Sequence, residues 1–356
     1  LNMRYYARVK RAGTSAAPPA QAQLMYEPQV YGLSPNKERS YRRLPLTLLP
    51  RCSEGVQNLS RHLAGGILRF ATDSPGLGLV WQLTGEGNMP HFTACGQSGM
   101  ELFEEWDGGF RQLRNFMPRM NNGCGCCLQQ SSYTDLPGGM RQYALYLPLY
   151  NGLEALNIAL APGSRLEGGH VPRIRKPILF YGSSITQGGC ATKCGSCYTH
   201  LVCRRLDAAH VNLGFAGNAK GEERMARYIA SLPMSAFVMD YDHNAPDAAH
   251  LEKTHLPFFR IIRDARPELP ILLLSKPDFD KNPDMARKRR TVIRRTYETA
   301  LSWGDEHVWM VDGEKLFGTR DRELCTVDGC HPNDLGFLRM ANTLEPILKH
   351  MLEKEA

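Results

Sequence analysis

From residue 174 onward, short apolar runs alternate with longer amphipathic ones, and that alternation leaves few folds open. The runs PILFYG (177–182), HVNLGF (210–215), AFVMDY (236–241), PILLLS (270–275) and VWMVDG (308–313) are compact and largely apolar. Helical patterns over 220–232, 247–265 and 284–302 lie between them, and one over about 334–354 closes the chain. Strands that are apolar along their length need cover on both faces, the condition of a parallel sheet between two helix layers. Five of them predict a flavodoxin-like three-layer α/β/α domain over 174–356, with functional groups expected beyond the strand C-termini.

Upstream the texture differs. ILRFAT (67–72), GLVWQL (78–83), RQYALYLPLY (141–150) and ALNIALA (155–161) are short runs separated by turn chemistry such as Asp73-Ser74-Pro75-Gly76 and Pro162-Gly163. This spacing predicts an all-β sandwich or jelly roll over 36–165, joined to the second domain through Pro162 to Arg173. Residues 1–35 are expected to form a flexible leader. They carry Arg4, Arg8, Lys10 and Arg11 with no acid before Glu27, then AAPPAQAQ, and lack the apolar stretch of a secretory signal.

Composition then removes whole classes. Hydrophobic residues at 42% and charged residues at 22% exclude a disordered chain, and no apolar run reaches the ~18–20 residues of a membrane-spanning helix. A net charge of +7 is mild, so nucleic acid is not an expected partner. The basic run Arg287-Lys288-Arg289-Arg290, with Arg294 and Arg295, reads as a solvated helix face. Eleven cysteines, with Cys126 and Cys127 adjacent, read as reduced thiols of a cytoplasmic protein. Cys190, Cys194 and Cys197, with Cys203, have thiolate-ligand chemistry, as does the group Cys124, Cys126 and Cys127. No complementary pair completes a recognised tetrahedral zinc set, so neither metal nor cofactor is expected. Tyr143, Tyr146 and Tyr150 are expected to pack within the sandwich or between domains.

The chemistry gathers past the strand ends. Gly182-Ser183-Ser184-Ile185-Thr186 follows the first strand, where a strand-to-helix turn exposes a serine Oγ and a helix N-terminus offers N–H groups to an anion. A tight turn or a phosphate cradle has the same pattern, and Thr186 excludes the Gly-x-Ser-x-Gly elbow. Gly217 follows the second strand, where a glycine N–H can face an oxyanion or simply make a turn. Asp242-His243-Asn244-Ala245-Pro246 follows the third, and the Asn244 amide is either an oxyanion donor or part of an Asx turn. Asp328-Gly329-Cys330-His331-Pro332 precedes the closing helix. An acid three residues before a histidine on one loop can orient the imidazole as a general base.

In this order, Gly182-Ser183-Ser184-Ile185, Gly217, Asn244 and Asp328-x-x-His331-Pro332 resemble the blocks of the SGNH (GDSL-type) hydrolase superfamily, over about 174–354. Gly99-Met100-Glu101-Leu102-Phe103 resembles the Gly-x-Asp-Leu-Tyr motif of the β-sandwich that precedes a subset of these enzymes. The resemblance implies a serine esterase with Ser184 as nucleophile, His331 as base and Asp328 as its orienting acid. It implies an oxyanion hole of the Ser184 N–H, the Gly217 N–H and the Asn244 amide. Ser183, Asp242 and His243 depart from the family pattern and are candidate substrate contacts. The expected substrate is a small acyl ester, acetyl above all, of a carbohydrate. The alternatives are an acyltransferase using the same triad and a catalytically silent carbohydrate-binding protein.

Overall fold

The computed structural model describes residues 5–8, 29–33, 41–85, 87, 89–119, 128–133 and 135–353. Ten strands precede the second domain: β1 (Tyr5–Arg8), β2 (Gln29–Tyr31), β3 (Ile67–Thr72), β4 (Leu77–Leu83), β5 (Met100–Trp106), β6 (Gly109–Phe116), β7 (Leu128–Tyr133), β8 (Arg141–Tyr146), β9 (Leu153–Leu160) and β10 (Leu166–Gly168). They make two antiparallel sheets, one ordered β1-β9-β4-β7, the other β10-β3-β8-β5-β6 with β2 also on β3. Two short helices, α1 (Glu54–Leu59) and α2 (Ala94–Ser98), lie among them. Two strands therefore fall inside the stretch expected to be a leader; at three and four residues they are too short to carry a period-2 signal.

Alternation along the strands explains how this domain faces two ways. Leu68 and Phe70 of β3, Leu102 of β5 and Leu145 of β8 point inward, onto Leu79 and Trp81 of β4 and Ile158 of β9. Their neighbours Ile67, Phe103, Ala144 and Tyr146 point outward, yet join a core shared with the second domain. All six residues of β3 are consequently buried.

The second domain carries β11 (Ile174–Gly182), α3 (Ser184–Gln187), α4 (Tyr198–Arg205), β12 (Ala208–Gly214), α5 (Glu223–Ser231), β13 (Ala236–Asp240), α6 (Ala248–Ala265), β14 (Ile271–Leu274), α7 (Pro283–Ser302), β15 (Val308–Val311) and α8 (Asp334–Glu353). The five strands are parallel in the order β12-β11-β13-β14-β15, the flavodoxin-like arrangement. Ile178 and Phe180 face the α4/α8 layer with Tyr198, Phe337 and Leu344. Leu179 and Tyr181 face the α5/α6/α7 layer with Ile229, Phe258 and Ile293. Helix α4 lies in a cysteine-containing stretch whose polarity masks its period.

The segment ahead of β3 crosses the domain border. Leu44, Leu49 and Val56 pack with Leu213 and Phe215 of the α/β domain. Arg43, 1% exposed, gives its guanidinium to the carbonyls of Leu59, His62, Asn212 and Gly214. Burial pulls its pKa down to about 9.

Candidate active site

Strand β11 ends at Gly182, where a side chain would collide with the Asp240 carbonyl of the neighbouring strand. The two serines that follow have different surroundings. Ser183 is the N-cap of α3: its Oγ accepts from the Ile185 N–H, and its own N–H is given to Thr186 Oγ1 at 3.1 Å. Ser184 starts the helix, so its N–H has no carbonyl ahead of it in the turn. Its Oγ lies 3.0 Å from His331 Nε2, and its carbonyl accepts from Tyr150 Oη and from the Gly189 N–H.

The Asp328 loop forms a closed unit. Asp328 Oδ2 is 2.8 Å from His331 Nδ1, and Oδ1 accepts the N–H groups of Cys330 and His331. Burial pushes the carboxyl up, but the hydrogen bonds from His331 outweigh it and hold Asp328 at about 2. A hydrogen bond from Nδ1–H to this carboxylate leaves the lone pair of His331 on Nε2, toward Ser184.

Gly217, with φ of 68°, lies beyond β12 with open space where a side chain would be. Its N–H is given to Asn244 Oδ1 at 3.1 Å, while Asn244 Nδ2 donates to the Phe215 carbonyl at 2.8 Å. One amide hydrogen of Asn244 is left over. The structure thus brings Gly217 and Asn244 together, but with the glycine N–H directed at Asn244.

Asp242 and His243 are structural in their contacts. Asp242 is buried, and its Oδ2 accepts the Lys276 N–H. His243 Nε2 is 3.2 Å from both Asp278 Oδ2 and Cys330 Sγ. Burial pulls His243 down, yet these two partners raise it to about 10. Cys194 and Cys197 are buried among carbonyls rather than grouped as ligands, and Cys124, Cys126 and Cys127 lie outside the described residues.

Three features were not anticipated, and a fourth, the interdomain contact of Tyr150, was expected without its partner. Asp240, at the end of β13, accepts from Thr186 Oγ1 and Tyr198 Oη under the serine turn; burial raises its carboxyl to about 7. Tyr150 reaches Ser184 from the sandwich. Glu101, within the Gly-x-Asp-Leu-Tyr-like motif, accepts the Gly195 N–H at 2.7 Å and faces Lys193 Nζ at 3.3 Å. The motif therefore grips the loop after the serine turn, a use its position in β5 hints at only once the sheets are assembled. Finally, His91, from a sandwich loop, brings its ring to 5.7 Å from that of His331. The thiol of buried Cys190 completes a group with them.

A five-stranded parallel sheet with a serine, a histidine and an aspartate at its C-terminal edge, joined to an antiparallel sandwich, has the architecture of a two-domain α/β hydrolase. The sequence profile of the GDSL-like lipase/acylhydrolase family matches residues 175–349, and that of the GxDLY N-terminus of SGNH-hydrolase-type esterases matches residues 21–166. The chain belongs to the SGNH (GDSL-type) hydrolases, in the subset that carries this N-terminal domain, and thus to the hydrolases acting on carboxylic esters.

Solved structures share the whole architecture. A GDSL-like lipase from Bacteroides ovatus is 24% identical, with 98% of each chain covered and a TM-score of 0.84. A salicylyl-acyltransferase of a tetracycline biosynthetic pathway is 21% identical, covering 91% of this chain and 94% of its own, with a TM-score of 0.74. A family two carbohydrate esterase from Clostridium thermocellum is 14% identical, covering 82% and 94%, with a TM-score of 0.60. Among proteins of curated function, none matches in sequence.

Proposed function

We propose that this protein is a serine esterase that removes a small acyl group, acetyl above all, from a carbohydrate alcohol. The observation that carries the reading is the continuous line from Ser184 Oγ to His331 Nε2 at 3.0 Å and from His331 Nδ1 to Asp328 Oδ2 at 2.8 Å. Ser184 Oγ attacks the ester carbonyl as its proton passes to His331 Nε2, and Asp328 stabilises the imidazolium that results. The carbonyl oxygen, now anionic, is received by the Ser184 N–H and the free amide hydrogen of Asn244, with Gly217 holding that amide in place. Removing one such donor costs ~3–4 kcal/mol of transition-state stabilisation. His331 returns the proton to the leaving alcohol oxygen, and water repeats the cycle on the acyl-enzyme.

The carbohydrate alcohol is supported by the family two carbohydrate esterases among the structures of similar fold, and by no residue contact. A reducing, cytoplasmic setting is supported by eight cysteines that are all unpaired among the described residues. No described helix is long and apolar enough to cross a membrane.

Hydrolysis of p-nitrophenyl esters from acetate to octanoate, by wild type, Ser184→Ala and Ser183→Ala, tests the reading. Turnover of short chains lost in Ser184→Ala is the expected result. Turnover that survives in Ser184→Ala and disappears in Ser183→Ala would move the nucleophile. Release of acetate from acetylated oligosaccharides then tests the alcohol.

A further inference from the structure

Three side chains that meet at the mouth of the site have a chemistry the esterase reaction does not use. His91, Cys190 and His331 each present one ligand atom, and the three atoms lie within 4.8 Å of one another. They come from separate places: a sandwich loop, the turn after α3 and the loop before α8. Cys190 holds φ at 73°, one of three described non-glycine residues in the left-handed region. A β-carbon disfavours that conformation, so it persists only where surrounding structure imposes it.

We propose that His91, Cys190 and His331 form a zinc-binding site through which the ion silences the esterase. Two imidazoles and a thiolate are borderline-soft ligands of the type zinc takes, at about 2.0–2.1 Å for nitrogen and about 2.3 Å for sulfur. The three atoms need to close by roughly an ångström to reach a tetrahedral edge, and exposed His91 is free of hydrogen bonds among the described residues. His331 is already prepared as a ligand. Its Nδ1 is bound by Asp328, the carboxylate–histidine pairing that orients metal-bound imidazoles, so Nε2 is the nitrogen left for the ion. As the zinc–sulfur bond forms, the Cys190 thiol proton leaves to solvent; both histidines bind through neutral lone pairs, and no electron changes hands. Water or Ser184 Oγ, 3.0 Å from the same nitrogen, takes the fourth position.

A second group, His243, Asp278 and Cys330, also satisfies the distances. There, however, Lys276 Nζ already sits 3.1 Å from Asp278 and opposes a cation. Among the described residues, the electrostatic neighbours of Cys190 are Asp328 and Cys330, neither of which opposes a cation.

The silencing, not the binding, rests on the proposed esterase reading. Zinc bound at His331 Nε2 occupies the lone pair that would take the Ser184 proton. Two measurements test the proposal. Cobalt(II) added to the full chain should give a thiolate-to-metal charge-transfer absorption, lost in Cys190→Gly, a variant that suits the left-handed backbone. Micromolar zinc should inhibit ester hydrolysis, and His91→Ala or Cys190→Gly should raise the zinc needed by at least about tenfold, each variant being compared with itself without metal. Inhibition unchanged in both variants, or cobalt binding without a thiolate band, overturns the site. If the metal-free protein hydrolyses no ester while the band appears and depends on Cys190, the site stands and the proposed function falls.

Discussion

The two domains use the same chain chemistry to opposite ends. In the α/β domain each of the first three parallel strands ends on a site element: Ser184 after β11, Gly217 after β12, Asn244 after β13. The Asp328–His331 pair follows the last strand on its own loop. In the sandwich, by contrast, strand ends hold structure together, and among the described residues only His91 and Tyr150 reach the serine and histidine. A parallel sheet aims every strand's C-terminus at one edge, so its loops converge there without further design. An antiparallel sheet sends alternate loops to opposite ends, so few can reach a neighbour's site. The difference predicts chemistry-sized effects on one side of the interface and packing-sized effects on the other.

The largest effect is expected from Asp328→Asn. An amide facing His331 Nδ1 favours the tautomer with its proton on Nε2, which cannot take the Ser184 proton. Activity should fall about ten-thousandfold with folding intact by circular dichroism; a loss under tenfold would remove Asp328 from the site. Asn244→Ala should lower kcat by about 100- to 1,000-fold with little change in KM, measured on the best p-nitrophenyl ester. A loss shared with Gly217→Ala, and no larger, would support the view that the glycine acts through Asn244.

Acid tests the interface itself. Burial holds His62, His200 and His255 neutral down to about 3, and it holds His210 well below the ordinary histidine range. His200 sits against Tyr146 of the sandwich and against His210. Once unfolded, these groups take up protons near pH 6.5 that the native state refuses, so stability present above that value is lost as pH falls toward 3. Asp240 and Asp242 act in the opposite sense: burial raises both carboxyls, that of Asp240 to about 7, so both lose stability as pH rises from 3.8. Each uncompensated histidine contributes up to about 1.4 kcal/mol per pH unit. The urea midpoint should therefore drop between pH 7 and pH 5, and a flat profile would contradict the burial of these rings. The smallest effect is Tyr150→Phe, which removes one hydrogen bond from a Ser184 carbonyl that keeps its Gly189 partner. It should cost about 1 kcal/mol of unfolding free energy and less than tenfold in kcat.

Much of this is legible in the sequence itself. The five parallel strands and four long helices follow from apolar period alone, because burial on both faces leaves no room for polar residues. The sandwich was legible only where strands are apolar. MELFEEW of β5 places three carboxylates in a buried strand. They are tolerated because Arg69 pairs with Glu105 at 2.8 Å and because Arg111 and Arg141 pair with Glu104, partners that no local pattern announces. The serine, glycine, asparagine and histidine blocks carried their order in the sequence. His91 carried nothing, and Cys190 only the thiolate chemistry it shares with Cys194 and Cys197, since their meaning is the meeting of three distant loops. The assignment of Gly217 as a free donor needed a geometry, the bond to Asn244, that spacing cannot express.

Arg43 has a consequence for how the chain is made. Its carbonyl partners include one 171 residues downstream, and Leu44, Leu49 and Val56 wait for the same strand region. At about 5–20 residues per second, a ribosome needs roughly ten to thirty seconds to deliver those partners. Throughout that interval the segment from Arg43 to Val56 carries exposed apolar side chains and an unsatisfied cation. The protein's most vulnerable moment thus falls midway through its own synthesis, and chaperone dependence should concentrate on nascent chains that end before residue 214.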